Sequence, residues 1–319
     1  MTEATSPGQR NIELGPGKEF DLVRSLLAEW GKTAERIGDD GAVLHVPPGE
    51  KLVVTTDTSV EGVHFLRAWL NHFEIGYRAT AASLSDLAAM GARPLGIVIA
   101  LTLPEDDKRE ARAIAHGIRE GASAVLCPIV GGDLTAGKSL SLTITALGTV
   151  ERPLSRAGAK VGQRVYVTGR LGGPAAAVRA WRAGKEPGEW DRARFANPVP
   201  RIEPAIGLAA RGATSAIDIS DGLVADIAHI AAASKVRIEI DLERIPTADG
   251  VSATEAAASG EEYEIVVTAP EIDTSAYREE FGLELTEIGR VVAGPARVAL
   301  LENGNQIAAP PGYDHFQKK

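Results

Sequence analysis

Residues 51–65 read KLVVTTDTSVEGVHF and decide how the first half of the chain is interpreted. Three apolar residues at 52–54, followed by two threonines, have the composition of a buried β-strand. The pattern then breaks, because Asp57 follows the threonines directly and a short polar loop leads to His64. The stretch therefore predicts a buried strand over 51–56 that ends at a carboxylate, and a buried carboxylate needs a partner.

Other aspartates occupy comparable positions along the chain, in the segments GDDGAVL, SLSDLAAMGA, GGDLTAG and AIDISDGL. They lie beside Gly, Ser or Thr and next to apolar runs: Asp39, Asp40, Asp86, Asp133, Asp218 and Asp221. Each one alone fits a turn or a helix cap. Together, carboxylates converging from five segments would repel one another, and a hard cation such as Mg²⁺ would relieve that repulsion. The pattern favours a metal site, and an ordinary acidic surface is the alternative.

Length, charge and cysteine content limit the classes of protein. A chain of 319 residues predicts two domains. The net charge of −9 without a dense Lys/Arg block argues against nucleic-acid binding, and the absence of an 18-residue apolar run argues against a membrane span. Residues 1–18 lack an apolar signal core and are predicted to be a disordered lead-in. The single Cys127 favours a reducing cytoplasm and a packing role.

Hydrophobic periodicity predicts an α/β (α+β) protein with a polar connector at 151–163. In the first half, strands are expected near 42–46, 51–56, 95–103 and 139–150, and helices near 19–30, 74–90 and 107–121. The expected domains are an N-terminal domain over 19–152 and a C-terminal α/β domain over 153–319.

Several nucleotide and catalytic motifs are absent from the sequence. It contains no G-x-x-x-x-G-K-[ST] loop, no Cys/His zinc spacing and no G-x-S-x-G elbow. The segment GRLGGPAAAVRA at 169–180 has the composition of a phosphate loop, but a tight turn into a packed helix is favoured.

Eight motifs in order resemble the thiamine-monophosphate kinase family, which belongs with aminoimidazole ribonucleotide synthetase in one ATP-using superfamily. Over residues 19–316 the motifs are GDDGAVL, TTDTSVEGVHF, SLSDLAAMGA, GGDLTAG, SRAGAKVGQRVYVTG, AIDISDGL, GEEYEIVVT and GYDHF. Any one of them is weakly specific, and the ordered set is strongly specific.

The resemblance implies a role for each matching residue. Positions that hold several Mg²⁺ ions correspond to Asp40, Thr55, Thr56, Asp57, Asp86, Asp133, Asp218 and Asp221. Positions that contact ATP correspond to Gly132, Asp133, Arg156 and Ser220. Positions that bind thiamine monophosphate correspond to His64, Glu261 and Tyr313. No residue is expected to be a covalent nucleophile.

The resemblance also implies a fold, an assembly and a reaction. A four-stranded N-terminal sheet is expected to pair with that of a second subunit to form a barrel in a homodimer, with an α/β domain following it. The implied reaction is direct in-line transfer of the γ-phosphoryl group of ATP to thiamine monophosphate, giving thiamine diphosphate in the cytoplasm. Such a transfer depends on charge neutralisation and positioning.

Two positions depart from the family pattern, and two alternatives stay open. Ser259 stands where the family usually has Gly, and Glu262 stands where it usually has Asp. The alternatives are another ATP-using member of the superfamily and a non-catalytic protein that binds a nucleotide or a divalent metal. The reactive cysteines of selenophosphate synthetases and of hydrogenase-maturation relatives have no counterpart in this sequence.

Overall fold

The computed structural model describes residues 11, 14, 16–104 and 108–313. The described residues divide into two compact units: unit 1 contains those up to 84 and from 93 to 151, and unit 2 contains those from 85 to 92 and from 152 onwards. The predicted lead-in lies outside the described residues except for 11, 14 and 16–18, and so do the motif residues 314–316. In the described part of the chain, no helix has both the length and the hydropathy to cross a membrane.

Unit 1 is built on one four-stranded sheet with helices over one face. In chain order its elements are α1 (Lys18–Trp30), β1 (Lys51–Val60), α2 (His72–Ala89, whose last turn belongs to unit 2), β2 (Arg93–Leu103), α3 (Lys108–Ser123), β3 (Ile129–Ala136) and β4 (Ser141–Val150). The strand order is β1-β4-β2-β3, with β2 and β3 parallel and the other pairs antiparallel. The predicted helices are thus confirmed within two residues at each end.

The alternation of β4 determines which face of this sheet is buried. Leu142, Ile144 and Ala146 are fully buried, whereas the intervening Thr143 and Thr145 are partly exposed. This period of two matches the alternation of Ser/Thr with Leu/Ile in the sequence. The sheet therefore has one apolar face beneath helices and one polar, open face.

The strand predicted near 42–46 is absent, which corrects the sequence interpretation. Residues 42–47 form no strand, and Pro47 and Pro48 follow directly. Proline has no backbone N–H to donate, so it does not continue a ladder of hydrogen bonds.

The prediction for residues 51–57 is also corrected. β1 is an edge strand that continues past Asp57 to Val60, and Leu52 and Val54 are 49% and 56% exposed. Its apolar run alternates between the covered and the open face of the sheet, so it is not buried on both sides. Asp57 consequently lies inside a strand and not at its end.

Helices α2 and α3 pack with almost no space between their backbones. A Cβ atom on Gly76 would lie 2.1 Å from the carbonyl oxygen of Ile114, and one on Gly117 would lie 1.9 Å from that of Phe73. Any side chain at either position would force the helices apart. These two glycines therefore allow the close packing of α2 against α3.

Unit 2 contains a seven-stranded mixed sheet with the order β11-β10-β7-β9-β5-β8-β6. Its elements are β5 (Arg164–Thr168), α4 (Gly173–Arg182), α5 (Glu189–Ala196), α6 (Ile202–Ala210), β6 (Ser215–Asp218), α7 (Leu223–Ser234), β7 (Arg237–Asp241), α8 (Ala253–Ala258), β8 (Ile265–Ala269), α9 (Thr274–Phe281), β9 (Leu285–Val292), β10 (Arg297–Glu302) and β11 (Asn305–Ile307). The buried stripe of α7, formed by Leu223, Ile227 and Ile230, packs in the same core as Val165 and Ile238. The mixed α/β class and the four-stranded N-terminal sheet are confirmed.

Candidate functional site

The turn between β6 and α7 in unit 2 carries the predicted Asp218, Ser220 and Asp221. Asp218 is the last residue of β6 and is only 5% exposed. Its Oδ2 atom accepts a hydrogen bond of 2.7 Å from the hydroxyl of Ser85. Ser85 precedes Asp86 in the last turn of α2, so the structure brings the segments of Asp86 and Asp218 together within unit 2.

The turn is held by Asp226, a residue that the sequence interpretation missed. Its Oδ2 atom accepts the backbone N–H groups of residues 220, 221 and 222, at 3.0, 3.1 and 3.1 Å. Burial raises the pKa of Asp226 to about 7, although the three hydrogen bonds favour its charged form and so lower the pKa. A signal was present in the sequence, because Asp226 lies between Leu223 and Ile227 on the apolar stripe of a helix, where a carboxylate is unusual.

The loop after α8 lies against the same turn and presents Glu261. The N–H of Glu261 donates to the carbonyl oxygen of Ser220 at 2.8 Å, and the N–H of Tyr263 donates to that of Ile219 at 2.9 Å. Glu261 and Tyr263 both have positive φ angles, 61° and 52°, and the hydroxyl of Tyr263 donates to the Glu261 carboxylate. Few L residues adopt this backbone conformation. The loop is therefore held in an unusual shape at a predicted substrate residue.

Tyr313 reaches this turn from the end of the described chain. Its N–H donates to the carbonyl oxygen of Asp221 at 3.1 Å, and its ring is 50% exposed. Four predicted residues thus meet in one place in unit 2: Ser220, Asp221, Glu261 and Tyr313.

Arg156 does not join this group through its backbone. It lies in a short 3₁₀ turn at 156–158, and its carbonyl oxygen accepts from the hydroxyl of Ser234 at 2.8 Å. Ser234 ends α7, whereas Asp221 precedes the start of that helix. A helix of this length spans ~18 Å, so the backbone of Arg156 is at the far end from the turn.

In unit 1 the predicted residues lie on opposite edges of the sheet. Asp57 on β1 is aligned across the strands with Ile144 on β4, Ile99 on β2 and Gly132 on β3. β1 and β3 are separated by three strand spacings, ~14 Å. Asp133 belongs to the next row across the sheet and so points to the opposite face from Asp57. A single copy of unit 1 therefore does not bring Asp57 and Asp133 together.

The other residues of unit 1 that are predicted to bind metal lie on β1 or in the loop before it. Thr56 lies in a hydroxyl ladder on the open face, where its Oγ1 is 3.1 Å from that of Thr145. Thr55 is opposite Ala146 on β4, and Asp40 lies in an exposed loop before β1.

His64 has a defined orientation in the loop that follows β1. Its Nδ1 atom accepts the backbone N–H of Val60 at 3.0 Å. An accepting Nδ1 places the proton of the neutral ring on Nε2. The Nδ1 atom of His64 is thus engaged with the backbone of β1.

Gly132 and Asp133 border an apolar cavity of about 60 Å³ in unit 1. Its other walls are formed by the side chains of α1, β2 and α3, among them Leu26, Trp30 and Ile118.

The chemistry of the predicted metal residues fits Mg²⁺, because they offer only carboxylate and hydroxyl oxygens. Among the residues that the structure describes, no three His, Cys, Asp or Glu side chains are grouped closely enough to hold a metal ion. The metal cluster therefore stays a prediction.

Family models match both halves of the chain. AIR synthase related protein, N-terminal domain, matches residues 38–150, and AIR synthase related protein, C-terminal domain, matches residues 160–301. The thiamine-monophosphate kinase of Escherichia coli (strain K12) is 36% identical over 93% of this chain and 95% of its own length. The chain belongs to the thiamine-monophosphate kinase family.

Solved structures of thiamine-monophosphate kinases agree with this assignment. The crystal structure of the enzyme from Stenotrophomonas maltophilia K279a has a TM-score of 0.80 and 34% identity, and the match covers 94% of this chain and 100% of that one. AaThiL complexed with AMPPCP and TMP has a TM-score of 0.75 and 31% identity, with coverage of 93% and 97%. The resemblance found in the sequence motifs is confirmed.

Proposed function

We propose that this chain phosphorylates thiamine monophosphate with ATP to give thiamine diphosphate. The observation that carries the proposal is the match, over 90% or more of both chains, to thiamine-monophosphate kinases, one of which is complexed with AMPPCP and TMP. The convergence of Ser220, Asp221, Glu261 and Tyr313 in unit 2 supports it, because residues assigned to ATP and to the acceptor then lie side by side.

We assign the acceptor to His64, Glu261 and Tyr313. We expect His64 to contact the anionic phosphate and Tyr313, which is half exposed, to stack on the cationic thiazolium. Gly132, Asp133, Arg156 and Ser220 are assigned to ATP. The terminal phosphate of the acceptor has a pKa of about 6, so its oxygen is already ionised near neutral pH and no strong general base is required.

Mg²⁺ is the ion that we expect at the oxygen donors. The residues assigned to it are Asp40, Thr55, Thr56, Asp57, Asp86, Asp133, Asp218 and Asp221. When bound, Mg²⁺ neutralises charge on the transferring phosphoryl group. Ser85 and Asp226 orient the unit 2 members of this set through the hydrogen bonds described above.

We further propose a homodimer formed through unit 1 and a cytoplasmic location. A second copy on the open face of the sheet would cover its threonine ladder and the exposed apolar residues of β1. The single buried Cys127 is compatible with a reducing compartment.

Phosphorus NMR of the purified protein with ATP, Mg²⁺ and thiamine monophosphate tests the function. We expect diphosphate resonances of the thiamine product. No such resonances should appear with free thiamine in place of thiamine monophosphate, because its neutral hydroxyl is a poor nucleophile without a base. None should appear when EDTA removes the metal. Asp86→Asn should lower the turnover rate about 100-fold or more, by analogy with the loss of one group that stabilises a transition state.

Asp249→Asn is the matched control, since the Asp249 side chain is 98% exposed, and it should retain turnover. ATP binding without turnover of thiamine monophosphate would favour the non-catalytic alternative. Near-normal turnover of Asp86→Asn would remove Asp86 from the metal set.

A further inference from the structure

The side chain of Glu262 is fully buried behind the loop that presents Glu261. Its Oε1 atom accepts two hydrogen bonds of 2.5 Å, one from the hydroxyl of Ser259 and one from the backbone N–H of Gly172. The two donors come from different segments, one from the loop itself and one from the turn before α4. The carboxyl group thus ties the loop to the rest of unit 2.

The N–H of Gly172 lies at the start of α4, in the segment GRLGGPAAAVRA whose composition is that of a phosphate loop. Backbone N–H groups at a helix start attract anions. Here the carboxyl group of Glu262 occupies the position of the anion, since it accepts a hydrogen bond from the N–H of Gly172. The segment therefore serves as an anchor for the loop at 259–263.

Arg194 fixes the backbone at the same point. Its Nη2 atom donates to the carbonyl oxygen of Glu262 at 2.6 Å and lies 2.9 Å from the carboxylate of Glu264. Oε2 of Glu262 has no hydrogen-bond partner among the described residues and lies 3.9 Å from Nη2 of the same arginine, within ion-pair distance. The side chain is thus placed by the reach of Oε1 to its two donors.

We propose that Ser259 and Glu262 act as a pair that positions Glu261 for binding thiamine monophosphate, an inference that rests on the function proposed above. Glu261 and Tyr263 flank Glu262, and both keep positive φ angles that L residues disfavour without external support. Glu262 supplies that support through its hydrogen bonds with Ser259 and Gly172.

Ser259 and Glu262 act as one unit in this interpretation, because both hydrogen bonds end at the same Oε1 atom. An Asp at 262 would be one methylene shorter and would fall short of the N–H of Gly172, while a Gly at 259 would remove the second donor to Oε1. The longer acid reaches the N–H of Gly172, and the added hydroxyl supplies its second donor. Glu262 and Ser259 are positioning residues, because neither is expected to touch the substrate.

Steady-state kinetics of Glu262→Asp, Ser259→Gly and the double variant test the pair. We expect Glu262→Asp to raise KM for thiamine monophosphate about tenfold, with kcat within twofold and KM for ATP unchanged. The double variant should resemble Glu262→Asp, because Ser259 has then already lost its partner. Glu262→Gln, which keeps an accepting oxygen at the same reach, should retain a KM close to that of the unchanged protein.

Ser215→Ala is the matched control, since Ser215 is fully buried in unit 2 and its hydroxyl bonds Thr268 outside the loop. It should alter stability without altering KM. An unchanged KM for thiamine monophosphate in Glu262→Asp, or additive effects of the two substitutions, would overturn the proposal that Ser259 and Glu262 act as a pair.

Hydrogen exchange of the backbone N–H groups of Glu261 and Tyr263 separates this inference from the proposed function, because it needs no substrate. Exchange should be faster in Glu262→Asp and unchanged in Glu262→Gln and Ser215→Ala. Equal exchange in Glu262→Asp and the unchanged protein would overturn the positioning role even if the kinase activity is found. Faster exchange in Glu262→Asp, in a protein without any kinase activity, would support the positioning of the loop by Glu262 and would refute the proposed function.

Discussion

A single oxygen atom of Asp226 holds the backbone of the turn that carries Ser220 and Asp221. Of the three N–H groups that it accepts, that of Gly222 is buried and those of Ser220 and Asp221 are partly buried, while Asp226 itself is only 2% exposed. The shape of this turn is therefore set by a residue that is not itself assigned to any ligand.

Asp226→Ala should lower the free energy of unfolding by about 3 kcal/mol, because buried donors left unsatisfied each cost ~1–3 kcal/mol and water can replace part of that loss. Asp226→Asn should cost less, since its amide oxygen can still accept. Urea unfolding followed by circular dichroism measures both. Asp249→Ala is the exposed control, and unfolding midpoints equal to that control would refute the role given to Asp226.

At the scale of elements, β1 differs most from what the sequence predicted. Its apolar run at 52–54 alternates between the two faces of the sheet, and only one face of the strand is covered by helices. The hydroxyl pairs Thr56–Thr145 and Thr58–Thr143 form a ladder along the open face. An edge strand with exposed valine and leucine is a surface prone to association.

Thr145→Lys should abolish the proposed homodimer, because it places an ammonium group in the middle of the open face. Analytical ultracentrifugation at micromolar concentration should give twice the 33.5 kDa chain mass for the unchanged protein and the chain mass for the variant. Glu186→Gln, in an exposed loop of unit 2, makes the same change in net charge and is the control. An unchanged protein that is monomeric and fully active would contradict the dimer.

For the whole molecule, two buried carboxyl groups in unit 2 link stability to pH. Burial raises the pKa of Asp226 to about 7 and that of Glu262 to about 8, both above the ordinary values of 3.8 and 4.5. Between the ordinary and the raised pKa the folded chain binds more protons than the unfolded chain. The stability is therefore highest at the acidic side of this window and is lost as pH rises towards 8.

The melting temperature of the protein should consequently fall between pH 5.5 and pH 8.5, and Glu262→Gln should flatten this decline because it removes one of the two titrating groups. Calorimetry at constant ionic strength measures the profiles. Glu302→Gln, at an exposed strand end, should leave the slope unchanged. Parallel profiles for Glu262→Gln and the unchanged protein would refute the contribution of Glu262.

The sequence predicted the features that depend on local pattern. Periodicity located the helices of unit 1 and the buried face of β4, and the segment AIDISDGL was correctly predicted as a strand followed by a turn and a helix. The edge position of β1 was not predictable, because it depends on which strands pair across ninety residues of chain. The roles of Asp226 and Glu262 were missed for a similar reason, since burial and partners distant in sequence decide them.

The pairing of β1 with β4 has a consequence for the time course of synthesis. Val60 pairs with Ser141 and Lys51 with Val150, so the first strand of the sheet acquires its partner only after about ninety further residues have been translated. At a translation rate of ~5–20 residues per second, β1 waits on the order of ten seconds after it leaves the ribosome. During that interval the nascent chain carries an unpaired apolar segment around Leu52 and Val54, and such unpaired strand edges are prone to aggregation until the fourth strand emerges.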